Sequence, residues 1–290
     1  LHQVGIGTFQ VFQETYHHAT YAKIHPPATV KGNYQWRVTA MHRALEAGVD
    51  DVGIGVLFGL YDWRFEILGL LAHTHELEDR FGIGPHTISF PRLKSAEGTP
   101  FIQEARYKVS DADYKKALCV LRLSVPYTGM ICTARESDAV MRDVIPMCTQ
   151  RDASTCLDIG GYAEMLSDQQ ADRQQFVIDD ARSLDTVVHE LADMGYITSF
   201  CTAGYRCGRT GKRIMGLLKS GSEGRFCKLN AVLTFREWLD DFASESTKQA
   251  GEKIIQKELD LIGQQYPKET LDQLGSYYHE IQNGQRDLYF

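Results

Sequence analysis

The sequence predicts an α/β protein built on parallel strands, and three observations carry that prediction. Short apolar runs rich in Val, Ile and Gly alternate with stretches whose apolar residues recur at helical spacing. Five such runs occur before residue 155, each followed by a helix or polar crossover. The best-defined stretch, Asp51 to Leu93, reads strand, helix, strand, and a connection of that length joins parallel strands.

Asp51 to Leu60 is short, apolar and Gly-rich, which suits a strand buried on both faces. Asp62 is placed to cap the helix that follows, in which Trp63, Ile67, Leu70, Leu71, Thr74 and Leu77 share a face; Gly82, Gly84 and Pro85 stop it. His86 to Phe90 is the next strand. Upstream, Val4 to Phe12 is a strand ending in the polar group Gln13 to His18, and Tyr34 to Ala47 reads as a helix. Downstream, Ser110 caps a helix to Leu123, Met130 to Ala134 is a strand, Ser137 caps a helix to Ile145, and Met147 to Ser154 is the fifth, least apolar strand. Eight parallel strands close a barrel, and these five fit its last five; an open doubly wound sheet is the alternative that periodicity leaves standing.

From Gly160 the character changes, so residues 1–160 form the strand-bearing domain and 161–290 a helical appendage. Asp172 to Phe176, Ser183 to Met194, Phe235 to Phe242, Glu252 to Gln264 and Lys268 to Ile281 are helical there. The 290 residues are 43% hydrophobic and 24% charged with a net charge of −7, which argues against a nucleic-acid surface. No apolar run is long enough to span a membrane and no signal segment precedes the first strand, so cytosol or an organelle matrix is expected. The chain opens at Leu1 almost directly on a strand, which predicts that an N-terminal portion precedes it.

In parallel α/β folds ligands gather at the carboxyl ends of strands, where Gln13 to His18, Arg92 and Arg135 all fall. A fixed guanidinium at such a place either binds a substrate carboxylate or makes a structural ion pair. Gly53-x-Gly55-x-x-x-Gly59 lacks dinucleotide-turn spacing, and Gly208 to Lys212 lacks the length of a phosphate loop, so both read as turns. Seven cysteines in a chain without secretory marks point away from a disulfide framework. Cys119, Cys132, Cys148 and Cys156 sit in apolar or strand contexts, whereas Cys201, Cys207 and Cys227 lie in a Gly-, Thr- and Arg-rich region that favours thiolate.

Four motifs carry a resemblance: Gly7 to His18, Asp51 to Leu60, His86 to Arg92 and Phe200 to Gly211. Together they closely resemble the radical S-adenosylmethionine tyrosine lyases that mature iron-iron hydrogenase, with the thiamine-pathway tyrosine lyase and biotin synthase as nearer relatives. The resemblance runs from Gly5 to Phe290. It implies a TIM-type radical barrel in which an N-terminal Cys-x3-Cys-x2-Cys loop holds a 4Fe-4S cluster that cleaves S-adenosylmethionine to a 5′-deoxyadenosyl radical. Tyrosine would then be split at Cα–Cβ into p-cresol and dehydroglycine, and a second, auxiliary iron-sulfur cluster would convert the latter to carbon monoxide and cyanide for the hydrogenase H-cluster. A sealed lumen suits radical chemistry. Ferredoxin or flavodoxin as reductant, and other hydrogenase maturation proteins, are the implied partners.

By the same resemblance, Gln13, Glu14, Tyr16, Arg37, Leu57 and Phe58 would contact S-adenosylmethionine. Arg135 would clamp the tyrosine carboxylate, with Ser124 and Thr133 nearby. The auxiliary cluster pattern Cys-x2-Cys-x22-Cys places Cys201 and Cys227 at its ends, but its middle position is Gly204; Cys207 is the nearest substitute, and His86, ahead of His73, would bind a labile iron. No Cys-x3-Cys-x2-Cys occurs in the 290 residues. Part of an active lyase, a catalytically inactive paralogue acting as a scaffold, and a metal-independent barrel enzyme therefore compete, in that order. Gly204 is the best evidence for the paralogue, and it also allows a lyase that makes no carbon monoxide or cyanide.

Overall fold

The computed structural model of the chain describes residues 1–95, 100–155, 157–158, 161–162, 178–200, 207–208 and 211–290. Contacts divide it into two compact units, Leu1–Ala181 and Arg182–Phe290. The change of character read at Gly160 precedes that division because the chain returns to the sheet: Asp180 N–H donates to Ala134 O at 3.1 Å, and its carboxylate accepts from Arg151 Nη2 at 2.5 Å.

In the first unit five strands lie in one sheet: β1 (Phe9–Gln10), β2 (Val52–Gly55), β3 (Thr87–Ser89), β4 (Gly129–Cys132) and β5 (Gln150–Arg151). Their spatial order is their chain order and every neighbouring pair is parallel. A doubly wound sheet reverses strand order at its switch point; a barrel does not, so this order is that of consecutive barrel strands. All five strands stand where the sequence put them, but shorter. The expected first strand keeps only Phe9–Gln10, and His2–Val4 forms a 3₁₀ turn instead.

Between the strands run α1 (His18–Ile24), α2 (Tyr34–Val38), α3 (Ala40–Glu46), α4 (Trp63–Phe81), α5 (Pro100–Gln103), α6 (Asp111–Ser124) and α7 (Asp138–Val144). The caps read from the sequence form: Asp62 accepts from Arg64 N–H, Ser110 from Asp113 N–H and Ser137 from Val140 N–H, and Gly82 closes α4 at φ 73°. The single helix expected over Tyr34–Ala47 is two helices, broken at Thr39. Val52, Ile54, Ile88 and Met130 pack with Leu70, Leu77, Tyr114, Leu118 and Met141 into one core between sheet and helices. β6 (Leu157–Asp158) and β7 (Gly161–Tyr162) form a separate antiparallel pair.

The second unit is helical: α8 (Leu184–Asp193), α9 (Gly211–Lys219), α10 (Glu223–Phe242), α11 (Glu245–Gln265) and α12 (Lys268–Gln282). Its own core joins Val188, Leu233, Phe235, Leu239, Ile254, Ile255, Ile262, Leu274 and Ile281. The helix expected over 172–176 lies outside the described residues. Among the described residues no helix is long and apolar enough to cross a membrane.

Candidate functional site

Beyond β1 the chain turns sharply. The amides of Gln13 and Glu14 both donate to Gly55 O, at 3.0 and 3.4 Å, Leu57 N–H donates to Glu14 O at 2.8 Å, and Glu14 sits at φ 71°. That left-handed conformation costs a residue with a Cβ about 1–2 kcal/mol. It turns the Glu14 carboxylate into a cavity of about 290 Å³ at the carboxyl ends of the strands, lined also by Phe12, Lys31, Arg37, Leu57, Lys94 and Arg135.

Glu14 Oε1 lies 2.5 Å from Lys31 Nζ and 3.5 Å from Arg37 Nη2, and Oε2 lies 3.2 Å from His25 Nε2. Burial lowers the His25 pKa, with Glu14 opposing and Lys31 and Arg37 reinforcing the shift. Arg37 Nε also donates to Phe12 O at 2.9 Å. Arg135 follows β4, and burial lowers its pKa to about 10 while Glu136 and Glu14 oppose the shift. It remains a cation at neutral pH in surroundings where a carboxylate is a better neighbour than water. A second cavity, of about 450 Å³, shares Glu14 and Leu57 with the first and adds Leu60 and Phe101. An acid, several bases and an apolar wall suit a ligand that carries charge at one end and an apolar part at the other.

Not every residue expected at this site lines it. Gln13 is buried with its Nε2 on Thr15 O at 3.4 Å. Tyr16 points away from the cavity toward α4, its hydroxyl 2.8 Å from His73 Nδ1. Phe58 is fully buried in the core, its N–H donating to Pro91 O at 2.8 Å. Thr133 Oγ1 is buried without a protein hydrogen-bond partner, and Ser124 is exposed at the end of α6, on the amino side of β4. Arg92, one of the two strand-end arginines, is a structural clamp: it donates to Glu136 through Nε and Nη2 and to Asp111 at 2.7 Å, and stacks on Tyr114.

His86 Nδ1 pairs with Asp51 Oδ2 at 2.6 Å at the amino end of β3, the end of the sheet opposite the cavity, and His73 Nδ1 lies 2.8 Å from the Tyr16 hydroxyl. Cys207 Sγ donates to Phe290 O at 3.3 Å and Cys227 is exposed on α10; Cys201 and Gly204 lie outside the described residues. Among the described residues no group of three His, Cys, Asp or Glu side chains could hold a metal ion. The Cys-x3-Cys-x2-Cys pattern does not occur in the 290 residues, and glycine at 204 offers iron no side-chain ligand. Nothing in the residue pattern singles out His25, Lys31 and Lys94 at the site; for Glu66, beneath it, the signal was an acidic residue among the apolar positions of α4.

Consecutive parallel strands with a charged cavity at their carboxyl ends define a barrel-type α/β fold, followed by a helical second unit. The chain is similar throughout its length to the FeFe-hydrogenase maturase HydG: one crystal structure of HydG matches all of the chain and 61% of its own at 45% identity and a TM-score of 0.91. HydG from Carboxydothermus hydrogenoformans matches 97% of the chain and 58% of its own at 36% identity, with a TM-score of 0.74. Residues 89–197 match the Biotin and Thiamin Synthesis associated domain. The 2-iminoacetate synthases of Salmonella typhimurium and Escherichia coli are 31% and 32% identical over 197 residues, 67% of this chain and 50% of each relative. The chain thus spans about half the length of the curated relatives it matches.

Proposed function

We propose that this chain forms the substrate- and cosubstrate-binding part of a radical S-adenosylmethionine lyase that cleaves tyrosine. One observation carries the reading: Glu14, Arg37, Leu57 and Arg135, drawn from four separate stretches of sequence, line a single cavity at the strand ends. Similarity to 2-iminoacetate synthases and to HydG supports the same class of reaction.

In this reading Glu14 accepts from the methionyl ammonium or the ribose hydroxyls. Lys31 and Arg37 hold the methionyl carboxylate, and Leu57 packs near the adenine. Arg135 takes the tyrosine carboxylate in a two-point contact, which fixes the amino acid's direction in the cavity. Bound S-adenosylmethionine supplies the radical chemistry, with electrons from a ferredoxin or flavodoxin. The apolar wall of Val56, Leu57, Leu93 and Ile102 keeps water from the reacting carbon. The 4Fe-4S cluster this requires takes its ligands from outside these 290 residues.

The finer reading carries the product on to carbon monoxide and cyanide for hydrogenase assembly, alongside other maturation proteins. Glycine at 204 favours a second reading, a lyase that stops at p-cresol and dehydroglycine. Anaerobic reconstitution of the intact natural protein, with iron counted per chain and p-cresol, carbon monoxide and cyanide assayed, separates the two. p-Cresol with two clusters and both gases supports the finer reading, and p-cresol with one cluster and neither gas supports the second. Loss of p-cresol altogether from a cluster-loaded, S-adenosylmethionine-binding protein overturns both.

A further inference from the structure

Glu66 sits on α4 with no solvent exposure, at a position where Trp63, Ile67 and Leu70 on the same face serve packing alone. A buried carboxylate is costly unless its oxygens are used, and burial raises the Glu66 pKa against the hydrogen bonds it accepts. Both oxygens are used, and both serve the turn that carries Glu14. Oε1 accepts from Thr15 Oγ1 at 2.5 Å and Oε2 accepts from Tyr16 N–H at 2.8 Å. Thr15 Oγ1 in turn accepts from His17 N–H at 3.1 Å, and Thr15 N–H donates to Gln13 O at 2.9 Å. Tyr16 is anchored further by His73 and by Tyr34, whose hydroxyl donates to Tyr16 O at 3.0 Å.

These bonds fall on the residues after Glu14, while Glu14 itself bears the unfavourable φ of 71°. Strain of that kind persists where the surroundings over-determine it, and a carboxylate reaching across 51 residues supplies that constraint. We propose that Glu66, acting through Thr15 and Tyr16, is a positioning residue that holds Glu14 in its left-handed conformation with its carboxylate in the cavity. The inference rests on the reading of that cavity as the cosubstrate site only for its ligand arm.

The test uses Thr15→Val, Thr15→Ser and Glu66→Gln in the intact natural protein, with Leu118→Val as a core change remote from the turn. Two quantities are measured: the Kd for S-adenosylhomocysteine by calorimetry, and hydrogen exchange at the amides of Gln13, Glu14 and Leu57. Thr15→Val and Glu66→Gln are expected to weaken binding about tenfold or more, the loss of one buried charge-assisted bond, and to speed exchange at those amides. Thr15→Ser keeps the hydroxyl and is expected to stay within about twofold of wild type. Leu118→Val lowers Tm without moving either quantity. Unchanged exchange at all three amides in folded Thr15→Val protein overturns the proposal, as does Thr15→Ser behaving like Thr15→Val. Wild-type protein that fails to bind S-adenosylhomocysteine overturns the cosubstrate reading instead, and the exchange arm still decides the role of Glu66.

Discussion

Glu14 shows at the scale of one residue why part of the site is legible in sequence and part is not. An extended strand alternates its side chains, so Glu14 and Tyr16 should share a face. The left-handed turn at Glu14 breaks that alternation, leaving Glu14 in the cavity and sending Tyr16 back toward α4. Arg135 was legible as an arginine closing a strand and Arg37 only through the family resemblance; His25 and Lys31 reach Glu14 only through the fold. Arg135→Lys keeps the charge and loses the planar fork, and is expected to weaken tyrosine binding by about 1.5–3 kcal/mol, read by calorimetry. His73 gives a pH prediction. Burial, with His42, lowers its pKa to about 4 from 6.5, so between those values the unfolded chain binds more protons. Acid therefore favours unfolding: stability falls as pH drops through about 6.5 and levels off below about 4, a loss of roughly 3 kcal/mol. His73→Gln should flatten that decline in urea titrations taken from pH 7 to pH 4.

At the scale of elements, start and stop signals were the most readable part of the chain. Asp62, Ser110, Ser137 and Gly82 act locally, through bonds within a single turn, and each performs as its residue type dictates. α10 and α11 begin well before the spans read from the sequence: α11 opens on a polar turn, whereas α10 already carries Leu229, Val232 and Leu233 ahead of Phe235, which tertiary packing buries. Strand crowding was invisible as well. A Cβ on Gly55 would stand 2.5 Å from Ser89 O and 2.7 Å from Phe12 Cδ1, so Gly55→Ala is expected to cost about 1–3 kcal/mol in denaturant unfolding. Arg92 ties the end of β3 to Glu136 beyond β4 and to Asp111 on α6. Arg92→Met would leave the Glu136 carboxylate buried without that partner, at about 3–5 kcal/mol.

At the scale of the whole molecule, the alternation of apolar runs with helices sufficed for strand number and parallel direction. It was silent on strand order, which the register now supplies. Composition changes at Gly160, whereas the compact units divide after Ala181, where Asp180 pairs with Arg151, a long-range contact that composition does not carry. The proposed function requires a cavity at the strand ends that recognises an α-amino acid by its carboxylate through Arg135. Calorimetric titration of the intact natural protein with L-tyrosine and with tyramine, which lacks only that carboxylate, tests this most directly. Binding of tyrosine at least about tenfold tighter than tyramine, with the difference abolished in Arg135→Ala, is the predicted result. Equal affinity for the two ligands, or an unchanged preference in Arg135→Ala, would contradict it.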